Sequence, residues 1–262
     1  MKNLPVTKPK ESTKPIACGD IFQVGDHIVA CGDSLDVAFV DRVIGNRKIA
    51  SVISDVPYGI KAVESKEGFG HLSVPKAILN DDITDETAYT SFTEAWIKPI
   101  LPHLERKNSF YIFNADPMIF ALREGMRKSG LTFSQLLIWV KTHAVIGRKD
   151  YAPQHELIAY GWYGVHKFQK PNDKSVIVHP KPAKNPLHPT QKPVGLIRRL
   201  VLNGTRMGDI VFDGFAGSGT LGLAAHQTGR KAILIERDEA YVQTILNRFK
   251  KVCDLDAQLL QP

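Results

Sequence analysis

Two short segments carry residue types suited to holding a nucleoside and a flat amine. Ser54-Asp55-Val56-Pro57-Tyr58 follows the apolar run KIASVIS, so it stands at the carboxyl end of a strand. Asp55 offers a carboxylate acceptor, and Pro57 keeps Val56 extended, which constrains where the Val56 carbonyl points. Tyr58 offers a flat face. Acceptors beside an aromatic plate suit the exocyclic amino group of a flipped-out base; taken alone, the same residues read as a β-turn with a surface tyrosine. The second segment, IVFDGFAGSGT, is a strand, a turn holding Gly214, Gly217 and Gly219, and a helix opened by Thr220. Such glycines let a ligand approach the backbone, and the helix start offers free N–H groups. Glu236 closes the next strand 23 residues after Asp213, where a carboxylate can accept hydrogen bonds from two ribose hydroxyls. The glycines do not follow the G-x-G-x-x-G order and no Lys-Ser/Thr pair comes after them. The pattern therefore favours a nucleoside over a triphosphate.

The surrounding elements must place these loops. DHIVACGDS reads as a strand and turn, DVAFVDRVIG as an amphipathic helix, and KIASVISD as a β-branched strand. Residues 60–80 lack periodicity and read as a mobile loop. Residues 87–104 then read as a helix, NSFYIFN as a strand, MIFALREGMRKSG as a helix, and FSQLLIWVK and QHELIAYGW as strands. SVIVH is one strand-like piece within a Pro-, Lys- and His-rich stretch. PVGLIRRLVLNGT reads as a helix with Pro193 near its first turn, and a final helix runs to about Val252. Strands alternating with helices predict a mostly parallel, doubly wound α/β sheet in three αβα layers. Residues 1–15 read as a disordered leader and 16–252 as the catalytic domain, with a recognition insertion within about 142–187; 253–262 read as a tail.

Composition narrows the class. The 262 residues include 43% hydrophobic and 23% charged side chains, ordinary for a soluble globule. No apolar run approaches membrane length, and the Lys/Pro-rich start does not resemble a secretory signal. Cys18, Cys31 and Cys253 stand too far apart in sequence for a disulfide framework or a zinc cluster, so a reducing cytoplasm is expected. The formal charge is +7, but residues 141–206 hold twelve Lys or Arg against three Asp or Glu. That concentration suits a polyanion, although it serves equally well as a solvated surface.

With these residues in view, the chain resembles the amino-group DNA methyltransferases of the permuted β class. Asp55-Val56-Pro57-Tyr58 resembles their Asp-Pro-Pro-Tyr signature, and Asp213 to Thr220 resembles their S-adenosylmethionine loop. His188-Pro189-Thr190-Gln191-Lys192-Pro193 resembles the block that precedes that loop. Catalytic loop first and cofactor loop last is the order of that class. GDIFQVGDHIVACGDS and the Trp139, Lys141, Gly147, Arg148, Tyr151, His155 and Glu156 spacing are similar to bacterial and phage members, some fused to ParB-like nuclease domains. The resemblance spans roughly 16–252 and implies a Rossmann-like S-adenosylmethionine-dependent methyltransferase fold.

The resemblance also implies roles. Asp55 and the Val56 carbonyl would accept hydrogen bonds from the amine of a flipped base, with Pro57 shaping the turn and Tyr58 stacking. Asp213, Gly214, Phe215, Ala216, Gly217, Ser218, Gly219 and Thr220 would surround the cofactor together with Asp55, and Glu236 would hold its ribose. Asp33 would lie near the adenine end, and Thr190 and Lys192 would contact the methionine carboxylate. Val56 departs from the usual proline, keeping the carbonyl but losing a rigid φ. The partner implied is double-stranded DNA, as in restriction–modification, with no membrane and no metal; a homodimer stays open. Arg148, Lys149, Lys167, Lys170, Lys174 and Lys181 are the candidate DNA contacts, whereas Trp139, Trp162 and His155 read as structural. Asp at the head of the tetrapeptide leans toward adenine N6. N4-cytosine methylation and a weakly active DNA-binding pseudo-enzyme remain alternatives; RNA or protein-glutamine relatives usually begin the tetrapeptide with Asn.

Overall fold

The computed structural model describes residues 15–58, 83–144, 150–180 and 191–261. Its strands are β1 (Ile21–Val24), β2 (His27–Cys31), β3 (Ile49–Asp55), β4 (Leu104–Asn114), β5 (Leu131–Val140), β6 (His155–Tyr163), β7 (Val165–His166), β8 (Val176–Val178), β9 (Ile210–Asp213), β10 (Lys231–Glu236) and β11 (Ala257–Gln261). The helices are α1 (Val37–Ile44), α2 (Glu86–Ile97), α3 (Ile119–Lys128), α4 (Val194–Gly204), α5 (Thr220–Gln227) and α6 (Glu239–Cys253). One sheet runs β11-β1-β2-β10-β9-β3-β4-β6-β5-β8, with β7 beside β4.

The block β2-β10-β9-β3-β4 is parallel. Its strands are nearly continuous apolar runs, as strands covered on both faces must be. Val52, Phe110 and Phe212 face α1 and α2 on one side; Ile53, Val211 and Leu234 face α4, α5 and α6 on the other. Aspartates start three of the helices: Asp36, Asp85 and Asp238 accept the N–H groups of Phe39, Ala88 and Ala240. Between β9 and β3 the chain order reverses, β3 leading outward to β4 and β9 to β10. A crevice at the carboxyl ends of such strands is where open α/β sheets take ligands.

One expectation about organisation needs correction. The residues read as a tail include β11, which pairs antiparallel with β1. Within the stretch 142–187, β6 joins the sheet interior and β8 its edge. The loop read at 60–80 lies outside the described residues. Among those described, no helix is long and apolar enough to cross a membrane.

Candidate active site

The two sequence segments meet at that reversal. Asp55 ends β3 and Asp213 ends the neighbouring β9. Ser54 sits between them: its Oγ accepts the Gly214 N–H at 3.4 Å and donates to the Asp213 carboxylate. Ser34, in the turn after β2, donates to the Gly214 carbonyl. The loops after β2, β3 and β9 are therefore tied to one another at one rim.

On the nucleoside side, Glu236 accepts the Gly217 N–H at 2.7 Å and the Asp238 N–H at 2.8 Å. Two carboxylate oxygens offer about four lone-pair positions, so acceptor capacity remains for a diol. Asp33 is near, since the Gly32 N–H bonds to the Glu236 carbonyl at 2.9 Å. Its side chain accepts the Leu35 N–H at 3.0 Å and lies 3.5 Å from Arg237. Burial pushes the Asp213 carboxyl up to about 7, against the pull of the Phe215 N–H and Ser54, and it also raises Glu236 against its two N–H donors. The donor set around the glycine loop is thus a group of carboxylates and backbone amides, suited to hydroxyls and to a cationic ligand. The Phe215 ring faces away, packed on Phe92 and Trp96 at 5.9 and 5.8 Å, so only its backbone belongs to the loop. Ser218 is held by Arg248 from α6, and Ala216 and Thr220 are buried.

On the amine side, the Pro57 carbonyl accepts the Tyr89 hydroxyl at 2.8 Å, and Asn114 donates to that hydroxyl at 2.8 Å. Both residues are fully buried, so α2 and β4 pin the tetrapeptide turn. Val56 is packed into the core. The Asp55 Oδ1 accepts the Tyr58 hydroxyl at 2.6 Å and Oδ2 accepts Lys192 Nζ at 2.5 Å. Glu156 receives the same two donors on Oε2, at 3.2 Å from Tyr58 and 3.1 Å from Lys192. Its Oε1 lies 2.9 Å from Lys141 Nζ. Burial opposes the Lys192 charge, but Asp55 and Glu156 outweigh it and hold the ammonium above the usual lysine range. Burial and the same two carboxylates push the Tyr58 phenol well above its ordinary value.

Lys192 was expected at a cofactor carboxylate; its ammonium instead lies between Asp55 and Glu156. The Tyr58 ring, expected to stack on a base, has Lys192 Nζ 5.3 Å from its centre. Lys167, expected at DNA, is paired with Glu105 at 2.9 Å and Asp209 at 2.6 Å, at the starts of β4 and β9 and so at the end of the strands opposite the rim. Lys170 and Lys174 are exposed, but they flank Asp173, which is bound by Arg199 and Asn203 of α4. Gly204 beside Asn203 packs on Ser51 at the start of β3, so this region too lies away from the rim. Arg148, Lys149, Lys181 and Thr190 lie outside the described residues. Trp139 is buried and donates to the His179 carbonyl, and Trp162 packs on Tyr160 and His166. Reasoning from sequence missed Tyr89, Asn114 and Ser34, and it named Lys141 and Glu156 only for their spacing, without a role. The signal that could have given them one is a charge where each of two otherwise apolar strands meets the rim.

A largely parallel sheet that brings a glycine loop and an Asp-headed tetrapeptide together at its reversal is the scaffold of an open α/β ligand-binding protein. The chain belongs to the N6/N4 DNA methylase family, whose model matches residues 49–247. It is similar to the type II methyltransferases M.HpaI of Haemophilus parainfluenzae and M.HinfI of Haemophilus influenzae, 25% identical to each over 193 and 196 residues. Those matches cover 64% and 66% of this chain, which spans only 62% and 54% of the two relatives' lengths. In fold it resembles an M1.HpyAVI–SAM complex, with TM-score 0.62, 23% identity, and coverage of 84% of this chain and 98% of that one. It also resembles PvuII DNA methyltransferase (cytosine-N4-specific), with TM-score 0.66, 18% identity, and coverage of 86% and 89%.

Proposed function

We propose that this chain is a DNA methyltransferase that uses S-adenosylmethionine and acts on the exocyclic amine of a flipped base, adenine N6. The observation that carries this reading is the Ser54 bridge, which sets the Asp55 turn and the Asp213–Thr220 loop in register at one crevice. The carboxylates there fit the cofactor: Glu236 for the ribose hydroxyls, Asp33 toward the adenine, and Asp213 with the glycine loop beside the cationic methionine end. When bound, the cofactor supplies a methyl group activated on a sulfonium.

The chain's residues then have an amine to prepare. An exocyclic amine is a poor nucleophile because its lone pair is delocalised into the ring. Asp55, with the Val56 carbonyl, accepts the amine's N–H hydrogen bonds and favours a tetrahedral nitrogen with a localised lone pair. The extra proton on the methylated nitrogen faces the same carboxylate. Tyr58 must give up its present bonds to Asp55 and Glu156, or share them, to pack on the base. Positioning and fixed dipoles supply the rate. The choice of adenine rests on Asp55 heading the tetrapeptide.

The test is transfer of labelled methyl from S-adenosylmethionine to unmethylated DNA, followed by nucleoside analysis. N6-methyladenine is expected, and Asp55→Ala should abolish incorporation while sparing cofactor binding. N4-methylcytosine would overturn the adenine assignment. DNA binding with no incorporation would favour a pseudo-enzyme, the reading motivated by Val56. Undiminished turnover in Asp55→Ala would refute the catalytic role.

A further inference from the structure

The amine-side chemistry needs Asp55, yet the structure buries three more charges beside it. Lys141 and Lys192 side chains are each 6% exposed and Glu156 is 14% exposed. Apolar residues closing the ends of β5 and β6 would stabilise the fold at least as well, because desolvation of an ion pair consumes most of its attraction. The arrangement is also more specific than neutralisation requires. Tyr58 Oη and Lys192 Nζ each reach both carboxylates, at 2.6 and 2.5 Å from Asp55 and 3.2 and 3.1 Å from Glu156. Lys141 fixes the other Glu156 oxygen at 2.9 Å. Among the described residues, Glu156 therefore shares both side-chain donors of Asp55 while standing on a different strand.

We propose that Glu156, braced by Lys141, is a positioning residue for methyl transfer: by sharing Lys192 and Tyr58 it holds the Asp55 carboxylate in one orientation with acceptor capacity left for the target amine. Each Asp55 oxygen uses one lone pair on these donors and keeps another, and the side chain is 25% exposed, so an incoming amine can reach it. Without Glu156, Asp55 is the remaining counter-ion of Lys192 and the remaining acceptor of Tyr58 among the described residues. Both then close on Asp55 and compete with the amine. The inference rests on the methyltransferase reading for its reaction, but its geometric content does not.

The experiment uses the full chain, S-adenosylmethionine and unmethylated DNA. Glu156→Gln should lower kcat by about 100-fold, the scale of a misplaced reacting group, with KM for DNA and for cofactor within about threefold. Glu156→Gln strands a buried lysine and lowers the unfolding temperature. Combining it with Lys141→Met removes the stranded charge, so stability should return while kcat stays low. Glu156→Asp should recover part of the rate. A folded Glu156→Gln chain with kcat within about threefold of the parent overturns the proposal, as does a double variant whose rate recovers with its stability. A crystal structure of Glu156→Gln gives a readout without activity: Asp55, Lys192 or Tyr58 displaced supports the proposal, and all three unmoved overturns it. A parent chain that transfers no methyl group refutes the methyltransferase reading instead, and that crystal structure then decides the positioning claim alone.

Discussion

Val56 serves two structures at once. The residue is 2% exposed with its side chain in the core, and its carbonyl belongs to the turn that presents Asp55. The buried side chain anchors the residue from one side, while the Tyr89–Pro57 bond pins the following peptide from the other. Packing thus replaces part of the rigidity that a proline would give by fixing φ. Val56→Pro should therefore transfer methyl in single turnover at the parent rate or faster. Val56→Gly empties a core site and frees the backbone, so it should slow transfer and lower the unfolding temperature. A Val56→Pro chain markedly slower than the parent would mean that the turn needs the valine N–H or a φ that proline cannot adopt.

At the scale of elements, the β9–α5 loop depends on left-handed backbone. Gly219 has φ 76° as the residue capping α5, and a Cβ there would stand 2.9 Å from Ile245 of α6. Gly219→Ala should cost about 1–3 kcal/mol of unfolding free energy from the backbone and crowding together. It should also weaken cofactor affinity, since the helix start moves; urea unfolding and calorimetric titration check the two effects. This loop was legible in the sequence because its signals are local: a buried strand, three glycines and an acidic residue at the next strand end. The parallel strands were legible for the same reason, as unbroken apolar runs. What was not legible depends on distant partners. β11 pairs with β1 from the other end of the chain, and AQLLQ follows an acidic turn that disguises it. The Asp55–Lys192–Glu156–Lys141 cluster draws on β3, β6, the end of β5 and the segment before α4, and Lys167 finds its carboxylates on β4 and β9. Charge counted along the chain placed Lys167 on a DNA-facing surface, whereas folding pairs it with Glu105 and Asp209.

For the whole molecule, two buried titratable groups at opposite ends of the sheet's parallel block, His27 at the start of β2 and Asp213 at the end of β9, oppose each other in pH. His27 is packed on Phe249, its Nδ1 accepts the Ala232 N–H at 3.1 Å, and burial with help from His226 lowers it to about 4. A base whose folded value is depressed contributes stability above its unfolded value, about 6.5, and loses it as pH falls toward 4. Asp213 is raised to about 7. Its contribution is present below the ordinary carboxylate range and is lost as pH rises through 7, an effect on the order of a few kcal/mol. Buried Glu236 acts in the same direction. The opposing slopes should give the parent a flat stability profile between pH 4 and 7. Asp213→Asn removes one slope, so its unfolding temperature should climb with pH across that window; a profile parallel to the parent's would show that Asp213 does not titrate there. Cofactor binding tests the same carboxyl independently. A sulfonium and an ammonium beside Asp213 favour its ionised form, so affinity for S-adenosylmethionine should rise as pH passes from 6 to 8, with proton release on binding. Asp213→Asn should lose both the rise and the released proton. Equal pH dependence in the two chains would place the cofactor's positive end away from β9.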